Sequence, residues 1–141
     1  MKYFFDTSVL VAAICVDHVH HAPSQAAYLS ATKNSSGCAA HSLAEVYATL
    51  TRLPGKQRMT CQQALLFVDD IRKRLTIVAL DEDEYWLAIT ESVAEEIIGG
   101  TIYDALIARC ALKARATIIY TWNLTHFRRL RSEIAKSVAT P

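Results

Sequence analysis

No apolar run in this chain approaches the ~18 residues that a membrane-spanning helix needs, so no membrane association is expected. There is no C-x-x-C pair either. Cys15, Cys38, Cys61 and Cys110 stand far apart, which argues against a zinc ribbon or a disulfide framework and fits reduced, mostly buried thiols in a cytoplasmic protein. A secretory signal is not expected, because Asp6 interrupts the N-terminal apolar run and no cleavage-like segment follows it. An overall excess of positive charge is also missing: the net charge is +1, so bulk electrostatics give no argument for a nucleic-acid partner. What charge there is lies unevenly. Asp81 to Glu96 holds seven acids and no Lys or Arg, whereas Lys113 to Lys136 holds six basic residues and one acid. A content of 52% hydrophobic and 21% charged residues excludes a disordered chain, and 141 residues are enough for one domain, spanning 1–141, with a core of its own.

The start of the chain organises the rest. Tyr3 to Phe5 is an aromatic run too short for an amphipathic helix but suited to a buried strand, and it ends on Asp6, Thr7 and Ser8. The apolar run Val9 to Val16 then predicts a helix. Asp6 therefore sits at a strand-to-helix junction, where open α/β sheets bind ligands, although an acid there can equally cap the helix. A second helix is predicted from Pro23 to about Lys33, after the polar segment of His18, His20 and His21. Those histidines lack a nearby fourth ligand and read as a solvated loop or a substrate edge.

Further along, Asn34 to Gly37 reads as a loop, Cys38 to Ala40 as a strand, and a helix is predicted from about Ser42. Ser42 and Glu45 have the S-x-x-E spacing of a capping box, as Thr101 and Asp104 nearly do. Helices are expected from about Thr60 to Arg74, from the acidic quartet Asp81 to Glu84, and from Thr101. Strands are expected at Leu75 to Leu80 and Thr117 to Tyr120, with an edge strand near Ser137 to Ala139. The quartet reads as a solvated first turn that favours the helix macrodipole. Strands and helices alternate throughout, which makes the fold class α/β with a mainly parallel sheet flanked by helices in three layers.

If the strands are parallel, the junctions open at one sheet edge and gather Asp6, Glu45, Asp104 and Asn123 around one pocket. Clustered carboxylates repel one another unless a cation neutralises them, and all-oxygen ligands select Mg²⁺ or Mn²⁺. Such an ion keeps several waters and can activate one toward a phosphodiester.

Phe5-Asp6-Thr7-Ser8-Val9-Leu10, Glu45, Asp104-Ala105-Leu106-Ile107-Ala108 and Thr121-Trp122-Asn123-Leu124-Thr125-His126-Phe127 together resemble the successive motifs of PIN-domain nucleases, and in size and loop pattern the VapC-type toxin ribonucleases. The resemblance implies a Mg²⁺-dependent endoribonuclease, usually a homodimer, held off by a cognate VapB-like antitoxin and leaving 5′-phosphate and 3′-hydroxyl ends. It also implies Asp6, Glu45 and Asp104 as acidic metal ligands, with Thr7, Ser8 and Thr121 orienting ligands or waters. Asn123 stands where many relatives carry an aspartate, which leaves three carboxylates instead of four, and His126 stands where an acid is common. Arg52, Lys56 and Arg58, with Arg128, Arg129 and Arg131, are the candidate phosphate-binding residues, each also readable as solvated surface charge. The other reading is a PIN-like module with weakened catalysis that binds RNA or protein.

Overall fold

The structure is a computed structural model and describes residues 1–141. Five strands form one sheet: β1 (Tyr3–Phe5), β2 (Ser36–Ala39), β3 (Thr76–Val78), β4 (Ile118–Tyr120) and β5 (Val138–Ala139). Their order is β3-β2-β1-β4-β5, and every pairing is parallel. Eight helices connect and cover them: α1 (Thr7–Ile14), α2 (His21–Ser30), α3 (Ala40–Thr51), α4 (Cys61–Arg74), α5 (Glu82–Ala94), α6 (Thr101–Lys113), α7 (Leu124–Arg128) and α8 (Ser132–Ser137).

The pleat of β1 explains the three layers. Successive side chains on a strand point to opposite faces. Phe5 accordingly joins Val9, Leu10, Tyr28, Val46, Leu50, Ile71 and Leu75 in the core under α1 to α4. Phe4 joins Ile107, Ala108, Ile119, Phe127 and Ile134 in the core under α6 to α8. Cys38 and Ala39 of β2 divide in the same way. A three-residue strand buried on both faces must be apolar at every position, which is why Tyr3 to Phe5 is legible as a strand without alternation.

Gly37 ends the expected loop early. A Cβ there would lie 2.7 Å from Met1 Sδ and 2.8 Å from the Thr76 carbonyl, so only glycine lets β2 pass this close to its neighbours. Ser36 and Gly37 therefore belong to β2. The sheet spans less of the third predicted strand, Thr76–Val78 instead of Leu75 to Leu80. Two helix starts fall where side chains supply caps. Thr60 with Gln63 opens α4, and Asp81 with Glu84 opens α5, each as a reciprocal box. The acidic quartet is thus a helix start.

The chain runs from β1 to β2 and β3 in one direction along the sheet, then crosses back to β4 and β5 on the other side of β1. The reversal leaves a crevice at the carboxyl ends of β1 and β4, the switch point of the fold. Asp6 and Thr121 follow those two strands directly.

The four cysteines are free, as expected, but only Cys38 and Cys110 are buried. Cys15 is partly exposed and Cys61, the first residue of α4, is exposed. No helix is long and apolar enough to cross a membrane.

Candidate active site

Asp6 is 1% exposed, an unusual place for a carboxylate. Its backbone carbonyl begins α1 by accepting from Val9 and Leu10, so by position it is the N-cap. Its side chain makes no capping bond to the helix. Instead Oδ2 accepts two hydroxyl protons, from Ser8 Oγ at 2.6 Å and from Thr121 Oγ1 at 2.7 Å. Desolvation raises the Asp6 pKa, against those two hydroxyls and the weaker dipoles of the Ser8 and Thr7 amides.

Glu45 is not a capping residue. The third helix begins at Ala40 with Ala39 at its N-cap, so Ser42 and Glu45 both lie inside it, and the Ser42 hydroxyl is buried with no partner. Glu45 Oε2 accepts from Thr7 Oγ1 at 2.7 Å, while Oε1 is 3.9 Å from His41 Nε2, one turn earlier on the same helix. The second expected box is absent too. Gly100 is the N-cap of α6, and Thr101 is the first helical residue. Asp104 Oδ2 instead accepts from His126 Nδ1 at 2.9 Å.

Asp6, Thr7, Ser8, Glu45, Asp104 and Asn123 all line one open cavity of about 500 Å³. Burial raises the Asp104 pKa to about 6, and the charges of Asp6 and, less strongly, Glu45 add to the shift; only the His126 contact opposes it. Asp104 therefore feels both of the other carboxylates electrostatically. In each, the side-chain hydrogen bonds fall on one oxygen, leaving Asp6 Oδ1, Glu45 Oε1 and Asp104 Oδ1 without a side-chain donor. No three Asp, Glu, His or Cys side chains close on a single point as a finished ligand set. An oxygen-only, mutually repelling and loosely spaced donor set fits a hard divalent cation that keeps part of its water shell.

Thr121 links the carboxylates to the end of β4. Besides donating to Asp6, its Oγ1 accepts the Asn123 amide at 2.9 Å, and it lies 3.4 Å from Ser8 Oγ. Ser8 Oγ in turn accepts the Trp122 amide at 3.0 Å. Asn123 is exposed at the cavity rim, and its side chain does not cap the helix that follows.

The cavity lining contains no Lys or Arg. Arg52, Arg58, Arg128 and Arg129 are exposed and outside it. Lys56 lines a separate cavity with Val16, Asp17 and Phe67, and Arg131 is held by Glu91 at 2.8 Å. Sequence reasoning missed two ring stacks beside the acids, of which the His20–Trp122 pair lines the cavity. The His20 ring stacks on Trp122 at 3.7 Å between centroids, and His41 stacks on Tyr103 at 5.1 Å. The His41–Glu45 spacing, four residues apart on a helix, was the one local signal for any of them.

A family model described as the PIN domain matches residues 3–132. The chain belongs to the PIN-domain family. This PIN domain is 34% identical over 115 residues to Ribonuclease VapC40 of Mycobacterium tuberculosis, covering 81% of each chain. Two solved structures share the fold. M. tuberculosis VapC20, described as a sarcin-ricin loop cleaving toxin, superposes with a TM-score of 0.70 at 19% identity, covering 86% of this chain and 89% of that one. VapBC2 from Rickettsia felis, bound to a DNA fragment from its promoter, gives 0.65 at 23% identity, covering 99% and 98%. PIN-domain VapC nucleases are in general metal-dependent.

Proposed function

We propose that this protein is a VapC-type endoribonuclease, the toxin of a toxin–antitoxin pair, which hydrolyses RNA phosphodiesters with Mg²⁺ or Mn²⁺ held by Asp6, Glu45 and Asp104. The observation that carries the reading is three carboxylates, brought from three separate elements to the switch point of a PIN fold and facing one cavity. Bound among them, a divalent cation supplies Lewis-acid chemistry, lowering the pKa of a water and offsetting charge on the phosphoryl group. The protein's part is positioning. Ser8 and Thr121 fix the Asp6 carboxylate through Oδ2, Thr7 fixes Glu45 through Oε2, and His126 fixes Asp104. Each restraint turns the other oxygen of its carboxylate into the available ligand. Asn123 adds a neutral amide at the rim, able to orient a water or substrate without adding charge.

A binding module without catalysis would not need three buried or half-buried acids kept at mutual electrostatic cost, so intact carboxylates favour the hydrolase over that alternative. The partner that fits is a VapB-like antitoxin presenting an Arg or Lys to the acidic cavity, since a guanidinium matches carboxylates bidentately. A homodimer and a cytoplasmic location complete the proposal. The test is hydrolysis of RNA by the purified chain with Mg²⁺ against EDTA, beside Asp6→Asn, Glu45→Gln and Asp104→Asn. Cleavage should require the metal and fall at least ~100-fold in each folded variant, a loss in keeping with removal of a metal ligand or its support. Wild-type cleavage in Asp6→Asn would refute the assignment.

A further inference from the structure

The cavity presents a problem for a ribonuclease. Its substrate is a polyanion, its walls carry three acids, and no Lys or Arg lines it. No cationic side chain of the wall can hold the flanking backbone, so beyond what a bound cation contributes at one phosphate, the grip on RNA at this spot has to come from the bases. The structure supplies the means. His20 lies flat on Trp122, with ring planes 6° apart, and both line the cavity. His41 lies nearly flat on Tyr103, 16° apart, and Tyr103 is 47% exposed.

Neither pair is placed at random. Trp122 follows β4 and His41 follows the end of β2, and these strands flank β1, whose end carries Asp6. With strands about 4.8 Å apart, the two pairs stand on either side of Asp6 across about 10 Å of sheet edge. Each is also tied to an acid. The Trp122 amide donates to Ser8 Oγ, which donates to Asp6, and the indole Nε1 donates to Ser24 Oγ at 2.9 Å. Tyr103 precedes Asp104 in the chain, and His41 stands 3.9 Å from Glu45. Aromatic rings locked in register with reacting groups are what a splayed single strand requires.

We infer that the His20–Trp122 and His41–Tyr103 pairs are two base-stacking platforms, which hold the unstacked nucleobases on either side of the scissile phosphate of an unpaired RNA segment. The inference rests on the ribonuclease reading and specifies how these residues would grip its substrate, with purines held more firmly than pyrimidines. His20, Trp122, His41 and Tyr103 are positioning residues, and the chemistry stays with the carboxylates.

The experiment follows Trp122 fluorescence in the full chain carrying Trp86→Phe. The sequence has two tryptophans, and Trp86 is 68% exposed on α5, away from the cavity. The probes, added in EDTA, are ten-nucleotide oligo(A), oligo(U), an A–U duplex and a ten-residue abasic ribose-phosphate chain. Oligo(A) should quench saturably, oligo(U) more weakly, and the duplex and abasic chain not at all. His20→Ala and Tyr103→Ala, with unchanged melting temperatures, should each weaken oligo(A) binding by about 5- to 100-fold and leave the abasic chain unaffected. Trp122→Phe, which keeps a ring, should retain oligo(A) binding within about threefold by anisotropy of labelled RNA. The proposal is overturned if the abasic chain binds as tightly as oligo(A), or if the variants weaken both equally. Cleavage is read separately with Mg²⁺. Stacking without hydrolysis of any RNA would refute the ribonuclease reading and leave the platforms standing. Hydrolysis with KM unchanged in both alanine variants would do the reverse.

Discussion

Asp104 offers the sharpest test of how the site is held together. In the folded, metal-free protein its pKa is raised from the ordinary 3.8 to about 6, first by burial and then by the charges of Asp6 and Glu45. Between those two values the folded state binds a proton that the unfolded chain has released. Stability from this group is therefore fully present below pH 3.8 and is lost as pH rises through 6. Above pH 6 the folded protein bears a penalty of about 3 kcal/mol for ionising a side chain that is 12% exposed. Asparagine at this position cannot ionise, yet its amide oxygen still accepts from His126. Asp104→Asn should thus be more stable than wild type by up to about 3 kcal/mol at pH 7.5 in EDTA, a rise of about 10 °C in Tm, while the two nearly coincide at pH 4. Urea unfolding at both pH values measures it directly. Adding Mg²⁺ should stabilise the wild type far more than the variant, because a bound cation offsets the repulsion that the substitution removes. If Asp104→Asn melts at or below wild type at pH 7.5, with the same difference at pH 4, the acids do not repel through a shared cavity and the account of the site is wrong.

Three other perturbations probe separate parts of the argument. Asn123→Asp should tighten Mn²⁺ or Mg²⁺ binding about fivefold by calorimetry, since a fourth carboxylate at the exposed rim adds a screened attraction of about 1 kcal/mol; unchanged affinity would place residue 123 outside the metal's reach. Thr121→Val keeps the shape of a fully buried side chain but removes a proton donor to Asp6 and the acceptor for the Asn123 amide. It should cost about 1–3 kcal/mol in urea unfolding and slow cleavage, and a stability equal to wild type would show that water or Ser8 replaces it. Gly37→Ala should destabilise by about 1–3 kcal/mol, because its Cβ meets the Thr76 carbonyl at 2.8 Å; a neutral result would mean that β2 and β3 can part freely.

The α/β alternation was readable because the strands are short and mostly apolar, β1 most clearly, and because Pro54-Gly55 and Gly99-Gly100 punctuate the helices. Parallel pairing then brought Asp6, Glu45, Asp104 and Asn123 to one edge, as the topology confirms. The capping spacings at Ser42–Glu45 and Thr101–Asp104 misled. Both helices begin before the expected cap, and the acids answer partners 38 residues away, at Thr7, and 22 away, at His126. A local pattern cannot distinguish a carboxylate bonded to its own helix from one bonded across the fold. The ring stacks were invisible for the same reason, since His20 and Trp122 meet only when α2 and the end of β4 are in place. The basic residues were legible as charge, but sequence could not show that the cavity wall excludes them.

The bond from Thr121 to Asp6 spans 115 residues, and β4 is the neighbour that completes the central strand. During synthesis, at 5–20 residues per second, roughly 6 to 23 s separate the two ends of that bond. Over this interval β1 has one open parallel edge, Asp6 lacks one of its two hydroxyl donors, and Asp104 for most of it has not yet been made. The growing polypeptide consequently cannot assemble the three-carboxylate cavity until Asp104 and then Thr121 have left the ribosome. The cleft is thus a late product of synthesis, because both of its walls are complete only once β4 has paired with β1.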